Sequence, residues 1–217
     1  MNLDIKQITA ESQPEKMTLL STILSFFPLF IIILGCSCLL WICTAPSFFS
    51  VLSLILTLYA LPLLIYKIHN YFYPISEGIS YLQGKAYSPW WGSYQIQVIY
   101  ITFPILESLL RLIPGMFSLW LRLWGAKVGK GVYWTPHLEI SDRGFLEIGD
   151  YVIFGHKVGI YSHVIKPRKD NLMLYVKKVQ IGSHSFIGAG SYLGTGVVIT
   201  EGSLVNADSK LFPNQKY

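Results

Sequence analysis

The second half of the chain repeats every six residues, and that period restricts its fold more than any other feature. The aliphatic or aromatic leads are Val128, Trp134, Ile140, Ile148, Phe154, Ile160, Ile181, Ile187, Leu193, Ile199 and Val205. The next position holds Gly129, Thr135, Ser141, Gly149, Gly155, Tyr161, Gly182, Gly188, Gly194, Thr200 and Asn206. Six residues make a short strand and a turn. Every sixth apolar side chain then stacks on its equivalent one coil away, and the small residue beside it suits a sharp corner. Three hexads make a coil, so the eleven leads predict nearly four coils of a β-solenoid with parallel strands. Two breaks interrupt the period: a two-residue insertion near Phe145-Leu146, and an excursion between Val164 and Ile181.

The first half has a different constraint. From residue 17 to residue 66 there is no charged side chain. A membrane-spanning helix needs about 20 residues, so this stretch predicts two spans, near 18–43 and 47–66, joined at Thr44-Ala45-Pro46-Ser47. A cleaved signal peptide fits poorly, because Asp4, Glu11 and Glu15 precede an apolar run that is too long. The loop between the spans has no basic residue, whereas Lys6, Lys16, Lys67 and Lys85 flank the outer ends. Both ends are therefore expected on the cytoplasmic side. The mean hydropathy of +0.46 and the 13% of charged residues exclude disorder and argue against a wholly soluble protein. Cys36, Cys38 and Cys43 lie inside the apolar run with no histidine or acid nearby, which makes a disulfide framework or metal site unexpected.

Between the halves, residues 67–94 carry many aromatics, among them Tyr71, Tyr73, Tyr81, Tyr87, Trp90, Trp91 and Tyr94, and read as an interfacial loop. Residues 95–124 read as an amphipathic helix with Glu107, Arg111, Ser118 and Arg122 on one stripe. Such a helix either lies in the membrane interface or forms a third span with its stripe turned inward. Glu107 and Arg111, at i and i+4, are placed to pair. The expected organisation is a terminal segment 1–17, a hairpin 18–66, an interfacial loop 67–94, a helix 95–124 and a repeat domain 125–217.

The hexads over about 120–212, with the lead-in Leu121-Arg-Leu-Trp-Gly-Ala-Lys-Val-Gly-Lys130, resemble the hexapeptide-repeat acyltransferases. The resemblance implies a left-handed parallel β-helix, a homotrimer with sites between subunits, and acetyl-CoA or a longer acyl-CoA as co-substrate. An acceptor hydroxyl or amine would attack the thioester, and a neutral histidine suits removal of its proton. The segment Gly149-Asp-Tyr-Val-Ile-Phe-Gly-His-Lys-Val-Gly-Ile-Tyr-Ser-His163 followed by a loop to Val179-Gln-Ile-Gly182 matches the family's placement of that base. His163 is thus the expected base and His156 the secondary candidate, while His184 reads as structural. His137 and Asp142 fall in the first coil, where relatives bind the acceptor. For the donor, the resemblance points to Phe186, Gly188, Ala189, Gly194 and Ala207. The basic excursion residues Lys166, Arg168 and Lys169, beside Lys177 and Lys178, would receive phosphates or an anionic surface.

The expected function is a membrane-anchored acyltransferase acting on a small-molecule or lipid-linked acceptor, with the lipid bilayer as a partner and no metal. Two alternatives stand beside it: a zinc lyase resembling the gamma-type carbonic anhydrases, and a non-catalytic membrane scaffold. The histidine spacing fits the lyase badly. The basic residues cluster on one loop without a recognition motif, which argues against nucleic acid.

Overall fold

A computed structural model of the protein describes residues 16–168 and 171–217. Most of the expected terminal segment, residues 1–15, and the donor candidate Lys169 lie outside the described residues.

The uncharged run forms two helical rods, Leu19–Thr44 and Phe48–Phe72, both long and apolar enough to cross a membrane. The second rod extends past the expected limit at 66. The first is built from α1 (Leu19–Ser25) and α2 (Phe27–Thr44), which meet at Phe26. Pro28 near the start of α2 has no N–H to continue the ladder, and the helix is interrupted at Phe26, two residues before it. The second comprises α3 (Phe48–Ile55), a π-helical turn (Leu56–Ala60) and α4 (Leu61–Phe72). Ser47 and Ser50 form a reciprocal cap at its start. Pro62 cannot donate to the carbonyl of Leu58, and the Tyr100 hydroxyl donates to that oxygen instead at 2.8 Å.

The expected loop 67–94 is not a loop. It contains the end of α4, strand β1 (Gly78–Tyr81) and the start of α5 (Pro89–Thr102). The expected single helix 95–124 is three: α5, α6 (Ile105–Arg111) and α7 (Met116–Leu123). Pro104 ends the first, and Gly115, at φ +79°, lets the chain reverse into the third. These helices pack with α4 over the first coil of the repeat. Tyr66 meets Trp124 at 4.6 Å, and Tyr100 meets Trp120 at 5.2 Å.

The repeat then runs through three parallel sheets in rotation. One contains β2 (Lys127–Val128), β4 (Leu146–Ile148), β9 (Val179–Ile181) and β12 (Val198–Ile199). The second contains β5 (Ile153–Phe154), β10 (Phe186–Ile187) and β13 (Leu204–Val205), with Tyr133 bridging to Ile153. The third contains β3 (Glu139–Ile140), β6 (Gly159–Ile160), β11 (Tyr192–Leu193) and β14 (Lys210–Leu211). Leu211 is a further buried lead beyond the expected eleven. Phe154, Ile160, Ile187, Leu193 and Val205 are all fully buried, each worth roughly 1.5–3 kcal/mol of burial.

The corner chemistry differs from the expectation. The left-handed backbone sits three residues after every lead but Ile140 and Ile160, at Gly131, His137, Tyr151, Lys157, His184, Gly190, Gly196, Gly202, Asp208 and Asn214. The glycine directly after the lead serves close approach. A Cβ at Gly149, Gly155, Gly182 or Gly188 would come within 3.0 Å of backbone in the next coil.

The excursion is a hairpin of β7 (His163–Arg168) and β8 (Asn171–Val176), so Val164, expected in the repeat, belongs to it instead. β1 adds to the far side of β8. Gly78 and His163 both pair with Val176, which puts them in one row across three strands.

Candidate functional site

Both breaks in the hexad period follow the third rung of their coils, Ile140 and Ile160, which stack in one sheet. The insertion and the excursion therefore open at the same corner, one coil apart. This brings Asp142 beside His163. Nδ1 of His163 lies 2.7 Å from Oδ2 of Asp142. Asp142 is 3% exposed, and each oxygen is occupied. Trp90 Nε1 donates to Oδ1 at 2.8 Å, while the Ser141 hydroxyl and the Ser162 N–H donate to Oδ2 at 2.6 and 3.2 Å. Burial pushes the Asp142 carboxyl up. The hydrogen bonds from His163, Ser141 and Trp90, with the charge of His163, outweigh burial and hold it below the usual carboxylate range. An ionised Asp142 accepts from Nδ1–H, which leaves Nε2 of His163 as the free base.

Aromatic rings fix the imidazole on its other side. Trp90 packs against His163 at 4.5 Å and stacks on Tyr94 at 4.9 Å. Beyond His163 opens a cavity of about 610 Å³, lined in part by Tyr161, Lys166, Tyr192, Gly194, Thr195 and Phe212. Tyr161 and Tyr192 stack at 4.4 Å. Burial, and then the carboxylate of Glu139, raise the phenols of both. Thr195 is fully buried, and its hydroxyl has no hydrogen-bond partner among the described residues.

Of the expected site residues, His163, Asp142, Lys166 and Gly194 come together here. Asp142, expected to meet the acceptor, is enclosed beneath His163. His137 and His156 lie against each other, with ring centroids 5.1 Å apart. His184 stacks on Tyr151 at 5.3 Å. His156, His163 and His184, whose spacing fits a zinc lyase badly, thus belong to separate features. Phe186 lies on the second sheet between Ile153 and Leu204. Gly188, Ala189 and Ala207 form stacked corners after that sheet, where a Cβ at Gly188 would strike Ala207. None of these lines the His163 cavity. Lys178 reaches Glu147 at 3.0 Å and Lys177 reaches Asn214 at 3.0 Å, so the excursion is not one free basic patch.

Sequence reasoning missed Trp90, Tyr94, Ser141, Ser162 and Thr195. The expected interfacial loop 67–94 assigns Trp90 and Tyr94 to the membrane surface instead. Their position one turn apart, just after Pro89 at a helix start, was the available signal.

No protein-family model and no curated relative matches the sequence. Among solved structures, a hexapeptide-repeat-containing acetyltransferase from Vibrio cholerae is similar at 14% identity and a TM-score of 0.39, over 55% of this chain and 85% of that one. Serine acetyltransferase isoform 3 of Entamoeba histolytica, solved with cysteine, is similar at 13% identity and a TM-score of 0.24, over 98% and 87% of the two chains.

Proposed function

We propose that this protein is a membrane-anchored acyltransferase in which His163 removes a proton from an acceptor hydroxyl or amine as it attacks an acyl-CoA thioester. The observation that carries the reading is the His163–Asp142 pair at 2.7 Å beside an open cavity. Asp142 is the positioning residue. It fixes the tautomer and stabilises the imidazolium formed when Nε2 takes the proton. The acceptor atom bonds to the carbonyl carbon, and the carbonyl oxygen becomes an oxyanion. As the intermediate collapses the carbon–sulfur bond breaks, and the thiolate recovers the proton from His163.

In this reading the repeat coils to the left, and three copies assemble with a neighbour completing each cavity. Lys166 and Arg168 meet the phosphates of the donor. The rods Leu19–Thr44 and Phe48–Phe72 span the bilayer and hold the catalytic corner on the cytoplasmic side, where acyl-CoA is found.

The test is thiol release from acetyl-CoA and longer acyl-CoAs in membranes containing the protein, with His163→Ala as the matched control. Release that rises with added lipid extract and disappears in the variant is the expected result. Equal release from both would remove His163 from the mechanism.

A further inference from the structure

A second cluster of charged groups lies beside the first. Arg143, next to Asp142 in the chain, is 1% exposed, and its Nε donates to Glu107 Oε1 at 2.6 Å. Trp120 Nε1 donates to the same oxygen at 2.9 Å. Glu107 Oε2 and Arg143 Nη1 are left without a hydrogen-bond partner among the described residues. Arg111, expected to pair with Glu107, instead sends Nη2 to the Leu138 carbonyl at 3.4 Å and lays its guanidinium over Phe117 at 4.2 Å. Glu139 is exposed, and its carboxylate is near enough to the Tyr161 phenol to raise it.

Glu107, Glu139 and Arg143 line a cavity of about 270 Å³ with His137 and, from the elbow between α5 and α6, Ile101 and Pro104. An anion entering it would meet two carboxylates. A cation would meet Arg143, and the Glu107 charge is already engaged by Arg143 and Trp120. What the cavity holds unspent is one acceptor on Glu107, the acceptors of Glu139 and a donor on Arg143, between apolar walls. A neutral polyhydroxyl ring answers all of these, because each hydroxyl both donates and accepts and the ring carbons tolerate an apolar wall. The volume, just below the usual range for drug-sized ligands, suits one such ring.

The cavity also borders the surface that leads to His163. Glu139, Gly159, Tyr192 and Lys210 pair in one row across the third sheet. The leads beside them, Ile140, Ile160, Leu193 and Leu211, are buried, so the row belongs to the outer face. Gly159 has no side chain, and the Tyr161 ring lies where one would be, 2.6 Å from a Cβ placed there. Glu139 borders the 270 Å³ cavity, while Tyr192 and Lys210 border the 610 Å³ cavity beside His163. Two strand spacings, about 10 Å, separate Glu139 from Tyr192.

We infer that the cavity beside the elbow binds a sugar ring, held by Glu107, Glu139 and Arg143. On the transferase reading, on which the occupant's role rests, the ring belongs to the acceptor, a glycoside lying along this outer face with a hydroxyl at His163.

The test is thermal unfolding of the full chain in lauryldimethylamine oxide micelles, titrated with methyl and octyl glycosides of glucose, galactose and mannose. At least one sugar is expected to raise Tm saturably, by about 3–6 °C at a tenfold excess over Kd. A lower midpoint for its octyl form would mark a lipid-borne sugar, and equal midpoints a soluble one. Glu139→Ala, at an exposed position, should keep its fold by circular dichroism and raise the midpoint about tenfold or more. The double variant Glu107→Gln, Arg143→Met removes the ion pair without stranding a charge and should do the same. His163→Ala should keep the full shift. The bound sugar should also stimulate thiol release from acyl-CoA, with its KM raised in Glu139→Ala and kcat little changed. A sugar-specific shift without thiol release would sink the transferase reading and uphold the sugar site. No shift with any glycoside, an equal shift with octanol, inorganic phosphate or butylammonium, or an unchanged midpoint in folded Glu139→Ala would overturn the inference.

Discussion

Asp142 and Arg143 are consecutive residues, equally buried and oppositely charged, and each sits in its own polar cluster. Around Asp142 every oxygen is met by a donor from Trp90, Ser141, Ser162 or His163. Around Arg143, Glu107 is the one ion-pair partner among the described residues, and Nη1 has no hydrogen-bond partner among them. A saturated cluster is suited to holding one group still. An unsaturated one carries a cost of about 1–3 kcal/mol for each unmet buried donor.

The largest effect that would sharpen this contrast is at the base. His163→Ala should lower the transfer rate by about 10²–10⁴-fold while leaving the fold intact, as measured by thiol release beside circular dichroism. Removing its support should come next. Asp142→Asn should lower kcat by about 10²-fold with little change in KM for the donor, and should alter the pH profile, because the imidazolium loses its counter-charge. An unchanged profile would make Asp142 merely structural.

On the other side of the comparison, Arg143→Met should destabilise the protein by about 3–5 kcal/mol, since it strands Glu107 in a buried site. Adding Glu107→Gln should restore most of that loss in thermal unfolding. Simple additivity of the two changes would break the comparison. The smallest effect belongs to an ion-pair cluster that faces water. Lys178 and Lys127 hydrogen-bond Glu147 and, against a small effect of burial, hold its carboxyl down at about 2. Its stabilising contribution is present above the ordinary carboxylate value and is lost as pH falls toward 2. Glu147→Gln should therefore cost under about 1 kcal/mol near neutral pH and flatten the acid limb of stability.

The hexad period was legible because each lead is buried by the same stacking, so composition and geometry repeat together. The corner residues were only half legible. Glycine after the lead was visible, but its reason is close approach between coils, and the left-handed corner two positions later accepts His137, Tyr151 and Lys157 as well as glycine. Glu107 was assigned to Arg111 because helical spacing is local. The partner it has, Arg143, lies 36 residues away in the first coil. Trp90 reaches Asp142 across 52 residues, and an aromatic-rich stretch beside an apolar hairpin is read as an anchor unless that tertiary contact is known. Reading 95–124 as one helix runs across Pro104 and Pro114 and hides the elbow between α5 and α6.

The row that joins Gly78 to His163 sets a limit on reach. Residues 73–77 alone separate the end of α4 from Gly78, a leash of roughly 20 Å when fully drawn out. Two strand spacings of about 5 Å then lead to His163. If α4 ends at the bilayer surface, the reacting nitrogen can never stand more than about 30 Å above it. On the transferase proposal, acceptors would be selected by altitude: a hydroxyl or amine carried low on a lipid headgroup is within range, and one borne at the tip of a long polymer is not.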